Sequence, residues 1–110
     1  DVLSANGDLK GIYGASEPTA IGMARAIVQS GKAGKLVAIG FDGNKDLQDF
    51  VRDGTLNAIA VQSSFQMGQL GVNAVIDVAE GKSVEKFINT GLVMVTKENI
   101  DSAEAQNVLY

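Results

Sequence analysis

Short apolar runs of strand length alternate with longer segments whose apolar residues recur at helical spacing, and this alternation constrains the fold more than any other feature of the sequence. The strand-like runs are Leu9 to Gly14, Leu36 to Phe41, Ala58 to Gln62 and Phe87 to Thr96. The first three lack strict polar alternation, as strands do when a parallel sheet is covered on both faces. Between the first two, Ala20, Met23, Ala24, Ile27 and Val28 form an apolar stripe on a helix. Ser16 stands at its N-cap, Glu17 and Pro18 lie in its first turn, and Gly31 stops it. A second helix is expected over Lys45 to Arg52, ended by Asp53-Gly54, and a third over Phe65 to Glu80, ended by Gly81. Within the third, Gly68 and Gly71 each cost roughly 1 kcal/mol against Ala, which predicts close backbone packing as compensation. Strands joined by helical crossovers of this length imply a doubly wound parallel α/β sheet with right-handed connections.

Two features lie outside this pattern. The opening Asp1-Val2-Leu3-Ser4-Ala5-Asn6 reads as a helix end running into a Gly7-Asp8 turn, which suggests a piece of a longer chain whose targeting signal lies upstream. The polar stretch from Lys97 to Gln106 reads as peripheral.

Composition removes whole classes of chemistry. The chain has neither Cys nor His, so thiol nucleophiles, Ser-His-Asp relays and nearly every usual zinc site are excluded. The net charge of -4 leaves no basic footprint for nucleic acid, and no run nears the roughly 20 apolar residues a membrane-spanning helix needs. No cofactor and no metal is expected. Gly-x-Gly-x-x-Gly and the P-loop are absent. Asp42-Gly43-Asn44-Lys45-Asp46 starts like a calcium loop, but Leu47 stands where Gly is needed and Asp53 where Glu is. A phosphoacceptor receiver domain would need an acidic pair after the first strand, where Tyr13-Gly14-Ala15 stands instead.

In an open parallel sheet, ligands bind beyond the carboxyl ends of the strands. Ser16 and Glu17 follow the first strand there, Asp42 the second and Gln62 the third. Asp42 is delivered to the sheet edge by an apolar run and can accept two hydroxyl hydrogen bonds; it could equally cap the helix beginning near Lys45. Gln62 offers both a donor and an acceptor, which suits a polyol, or is simply a polar strand exit. Ser16 reads first as an N-cap, and Glu17 as a residue favoured at a helix N-terminus by the macrodipole.

Taken in order, these segments resemble type I periplasmic binding proteins of sugar ABC transporters, the ribose-binding group most closely. The likeness rests on Gly11-Ile12-Tyr13-Gly14-Ala15-Ser16-Glu17-Pro18-Thr19-Ala20-Ile21-Gly22, on Val37-Ala38-Ile39-Gly40-Phe41-Asp42-Gly43, and on Ile59-Ala60-Val61-Gln62 with Gln66-Met67-Gly68. It covers nearly the whole chain as the family's C-terminal portion and implies a Rossmann-like lobe. The Asp of the second signature, the Gln of the third and an Asn in the first hydrogen-bond sugar in that family. The resemblance therefore implies Asp42, Gln62 and Ser16, with Glu17 beside it, as ligand-binding residues. Ser16 and Glu17 stand where the family pattern has Asn and Asp, which removes a bidentate amide and leaves the identity of the sugar open.

The resemblance further implies a division into residues 1–62 as C-terminal lobe, 63–90 as hinge crossing and segment packed on an N-terminal lobe, and 91–110 as return strand and tail. An N-terminal lobe, a partner chain or an oligomer would cover Met67, Leu70, Ala74, Val75 and Val78, which otherwise form an exposed apolar patch. Also implied are sugar capture without catalysis, a membrane ABC permease as partner, and a periplasmic or extracellular location, a lipoprotein tether being one form of the latter. The rival is the effector-binding core of a LacI-type repressor. In those proteins Asp and Pro stand at the places of Gly43 and Ser63, while the Val95-Thr96-Lys97-Glu98-Asn99 ending resembles a binding protein. An enzyme would need Asp42 or Glu17 as general base, with no identifiable stabilising group.

Overall fold

A computed structural model describes residues 2–110 of the chain. The elements run α1 (Val2–Ala5), β1 (Gly11–Tyr13), α2 (Glu17–Gln29), β2 (Val37–Phe41), α3 (Lys45–Arg52), β3 (Ala58–Gln62), α4 (Ser64–Ala79), β4 (Leu92–Thr96) and α5 (Ala103–Gln106). The helix end and Gly7-Asp8 turn expected at the start are present from Val2 onward, Asp1 lying outside the described residues.

The four strands lie in the order β1-β2-β3-β4. β1, β2 and β3 are parallel, with Ile12 opposite Ala38 and Gly40 opposite Ile59. β4 runs antiparallel to β3, Ile59 facing Val95 and Gln62 facing Leu92. The α/β class is thus the one expected, but two details differ: β4 is an antiparallel edge in place of a fourth parallel strand, and among the described residues the helices cover one face of the sheet rather than both. The path between β3 and β4 explains the first difference. α4 carries the chain away from the end of the sheet at which β3 exits, and the non-helical segment 80–91 brings it back to that same end, so β4 starts there and runs antiparallel.

Winding decides which face is covered. Strands taken in the order β1, β2, β3 with right-handed crossovers place α2 and α3 on the same face. There Arg25 of α2 donates to Asp46 of α3 at 3.0 Å. Ala20, Ala24, Ile27, Ala38, Leu47, Val51, Ile59, Val61 and Val95 form the core between these helices and the sheet. Each fully buried Ile or Leu contributes roughly 1.5–3 kcal/mol. The opposite face, carrying Tyr13, Val37, Leu92 and Met94, is exposed among the described residues. Gly14 lets α2 approach: a Cβ there would lie 2.7 Å from the Ala20 Cα. Asn57 fixes the β2–β3 register, its Oδ1 accepting from the Ala38 amide at 2.8 Å while its own amide donates to the Ala38 carbonyl.

Two sequence expectations need correction. The tail is not peripheral: Ile100, Ala105 and Val108 are buried in the core, and Arg52 holds Asp101 through two hydrogen bonds of 3.2 and 2.7 Å. A helix of four residues is too short to show periodicity, so the polar composition of residues 97–106 hid two core positions, Ile100 and Ala105, and Val108 extends the same packing. Gly68 and Gly71 meet nothing within 4 Å among the described residues, so the close packing expected of them is not found there. α4 as a whole has no buried residue; Phe65 is 74% and Val75 69% exposed. It extends from the sheet and draws the molecule out to 57 × 30 × 18 Å. The radius of gyration is 17.3 Å, against roughly 13 Å for a compact chain of this length.

Candidate functional site

The carboxyl ends of β1, β2 and β3 lie along one edge of the sheet, and each delivers a polar residue there. Asp42 leaves β2 with its amide still in the ladder, donating to the Ala60 carbonyl at 2.9 Å. Its φ is 74°, which makes it the single non-glycine residue with positive φ among the described residues. That region strains every L-residue, Asn and Asp least, and such conformations concentrate at functional sites. Capping of α3 falls to another residue: Asn44 is the N-cap, its Oδ1 accepting from the Leu47 amide at 3.0 Å. The Asp42 carboxylate makes no hydrogen bond or ion pair among the described residues and is half-buried.

Gly43 is confined by its neighbours. A Cβ there would come within 2.9 Å of Val61 and of Leu109. Its carbonyl accepts from Gln48 Nε2 at 2.8 Å and from the Tyr110 amide at 3.2 Å. The turn that presents Asp42 is therefore clamped from both α3 and the tail.

At the β1 exit, Ser16 is the N-cap of α2. Its hydroxyl lies 2.8 Å from Thr19 Oγ1, and its amide donates to the same oxygen at 3.0 Å. Ser16 is thus engaged in opening the helix, the structural role its type suggested. Glu17, the first helical residue, accepts a hydrogen bond from the Tyr110 hydroxyl at 2.9 Å. The Tyr110 phenol pKa is raised, first by burial, then by the Glu17 hydrogen bond and the negative charges of Asp42 and Glu17. These interactions bring Glu17, Asp42 and Tyr110 into one cluster. Gln62 closes β3 with an exposed amide that makes no hydrogen bond among the described residues, on the sheet face shared by Ala58 and Ala60. No hydrogen bond joins it to the cluster among the described residues.

A cleft of about 320 Å³ lies beyond Gln62, lined by Ser63, Gln66, Leu92, Val93, Glu104 and Asn107 among others. None of the four predicted residues lines it. The strand-end cluster is instead a shallow ledge, because loops from one sheet edge wall a site on one side only. Tyr110 was missed by sequence reasoning, and no local signal could have found it, since its place depends on how the whole tail folds back. No group of three or more Asp or Glu residues able to hold a metal ion occurs among the described residues.

The topology is that of an open α/β lobe with polar residues at the carboxyl ends of its parallel strands, the edge at which such sheets bind ligands. The chain belongs to the periplasmic binding protein family: residues 1–83 match the model of the periplasmic binding protein domain. It is 33% identical over 98 residues to the ribose import binding protein of Bacillus subtilis (strain 168), covering 89% of this chain and 32% of that protein. It is 31% identical over 84 residues to the D-allose-binding periplasmic protein of Escherichia coli (strain K12), covering 76% of this chain and 27% of that one. Among solved structures, an ABC transporter solute-binding protein from Agrobacterium vitis with bound D-fucose superposes with a TM-score of 0.91 at 68% identity. That match covers 100% of this chain and 38% of that protein. The chain thus spans about a third of the length of these relatives.

Proposed function

We propose that this chain is the C-terminal portion of a two-lobed sugar-binding protein that captures its ligand without chemistry and delivers it to an ABC permease. The observation that carries the reading is Asp42: a carboxylate without a partner among the described residues, held in a strained left-handed turn at the exit of a central strand. A carboxylate there accepts two hydroxyl hydrogen bonds, and Gln62 adds a donor and an acceptor from the next strand. Ser16 and Glu17 complete the row, with Glu17 facing the ligand and Ser16 chiefly opening its helix. The names of the relatives, which are sugar-binding and sugar-import proteins, support this reading over a repressor core.

The division at Gln62 is part of the same proposal. Residues 1–62 form the C-terminal lobe, 63–90 cross a hinge and pack on an N-terminal lobe, and 91–110 return. Support comes from α4, whose Met67, Val72, Val75, Ile76 and Val78 are bare, and from its Gly68 and Gly71, which leave room for a close neighbour. Closure would bring the second lobe over the ledge, so that the ligand gains contacts in the closed state that the open one lacks. The protein would work in the periplasm or at the outer cell surface.

A calorimetric titration of the two-lobed protein with D-fucose, D-ribose, D-allose and D-arabinose tests the reading. D-fucose comes first, as the sugar held by the Agrobacterium vitis protein. Saturable binding of at least one sugar, abolished in Asp42→Ala, is expected. Absence of binding to all four, or full binding by the variant, would overturn the assignment.

A further inference from the structure

The last residues of the chain form a brace. After β4, Asn99 closes the turn by accepting from the Thr96 amide at 2.7 Å and donating to the Met94 carbonyl at 2.9 Å. Gln106 ties α5 back to the Ile100 carbonyl at 2.7 Å, and Arg52 grips Asp101. The tail then crosses α3, where Gln48 donates both to the Gly43 carbonyl and, at 3.2 Å, to the main-chain oxygen of Tyr110. With its backbone fixed at Gly43, the Tyr110 side chain reaches over to Glu17 at the start of α2. One side chain therefore spans the gap between the β2 exit and the β1 exit, passing close enough to Asp42 to feel its charge.

We infer that Tyr110 is a positioning residue of the ligand site: it holds Glu17 in one rotamer, so that the free carboxylate oxygen is aimed at a hydroxyl of the sugar. This rests on the sugar-binding reading above. The chemical reasoning is that a glutamate at the first turn of a helix has three rotatable bonds, and ordering it on binding costs affinity. A tyrosine hydroxyl fixed by a clamped backbone removes that cost in advance. Only Glu17 Oε2 is engaged by the phenol, and Oε1 makes no hydrogen bond among the described residues. A phenol, whose ordinary pKa is 10.0, is protonated throughout the neutral range and therefore donates to Glu17 there. The arrangement also makes the site depend on the tail: α5 and its anchors on α3 set the position of a group at the far side of the ledge.

The test is a double-mutant cycle in the two-lobed protein, read as Kd for D-fucose by calorimetry, with D-ribose, D-allose and D-arabinose run in parallel. Tyr110→Phe removes only the hydroxyl of a residue that is 62% exposed, so the fold is retained and the melting temperature reports it. The variant is expected to weaken the best-bound sugar about fivefold to tenfold, Glu17→Ala at least as much, and the double variant no more than Glu17→Ala alone. A merely structural tyrosine would lower the melting temperature and leave Kd in place. Tyr110→Phe within twofold of the unmodified protein, or losses that multiply in the double variant, would overturn the inference while Asp42→Ala still abolished binding. No binding of any of the four sugars by the unmodified protein would overturn both this inference and the sugar-binding reading.

Discussion

Replacing Asp42 by Gly should raise stability and remove sugar binding together, because the two effects come from different properties of the same residue. The backbone at φ 74° is uncomfortable for any side chain, costing an L-residue about 1–2 kcal/mol, with Asp at the lower end. Glycine relieves that strain but gives back about 0.5–1 kcal/mol through the greater freedom of the unfolded chain. The carboxylate makes no hydrogen bond or ion pair among the described residues, so its removal breaks nothing in the fold. The net gain is at most about 0.5 kcal/mol, an upper limit on the order of 2–4 °C in Tm for a domain of this size. Against it stands the ligand: two hydroxyls bonded to a carboxylate contribute roughly 1.5–3 kcal/mol each, so their loss weakens binding about a hundredfold or more. Scanning calorimetry and sugar titration on one preparation measure both sides. Asp42→Asn, which tolerates the same backbone, should leave Tm within about a degree and bind with intermediate affinity. A glycine variant that melts lower than the original would mean that the carboxylate supports the fold; one that keeps its sugar affinity would mean that it does not touch the ligand.

Three other outcomes follow from the packing. Gly43→Ala drives a methyl to within 2.9 Å of Val61 and Leu109; overpacking of this kind costs about 1–3 kcal/mol, and chemical denaturation should record it, with the tail loosened as well. The Arg52 guanidinium, through its hydrogen bonds and charge, holds the Asp101 carboxyl below its ordinary value. A carboxyl depressed in the folded state stabilises above its unfolded pKa and loses that contribution as pH falls through the folded one. Hydrogen-exchange protection at Ile100 to Val108, measured relative to the intrinsic exchange rate at each pH, should therefore fall on acidification below the ordinary value of 3.8, and Asp101→Asn should abolish that dependence. Finally, the 110-residue chain without a second lobe should associate with rising concentration through the bare face of α4, and Val75→Glu should shift sedimentation toward the monomer. A chain that stays monomeric at every concentration would argue against that face as a docking surface.

Local order in the sequence carried far, both for the strand ends and for the family resemblance. Asp42 and Gln62 could be placed at the sheet edge because short apolar runs of strand length bounded by turn residues read as buried strands, and the chemistry of a strand exit follows from its direction. The bounds of α3 and β3 agree with the pattern residue for residue for the same reason, Asp53-Gly54 punctuating one and Gln62 the other. Capping was harder: Asp42 and Asn44 are both good caps two positions apart, and only the backbone angles assign the role to Asn44.

The sequence by itself determined the strand and helix alternation, the loss of His and Cys chemistry, and the row of polar residues at three strand ends. Those depend on residues near one another in the chain, where periodicity and composition act. Tertiary structure alone decided that β4 runs antiparallel, that Ile100, Ala105 and Val108 belong to the core, and that Tyr110 meets Glu17 across 93 positions of sequence. The physical reason is that each of these contacts owes its free energy to burial or hydrogen bonding between segments that share no local signal, so it exists only once the sheet has brought them together.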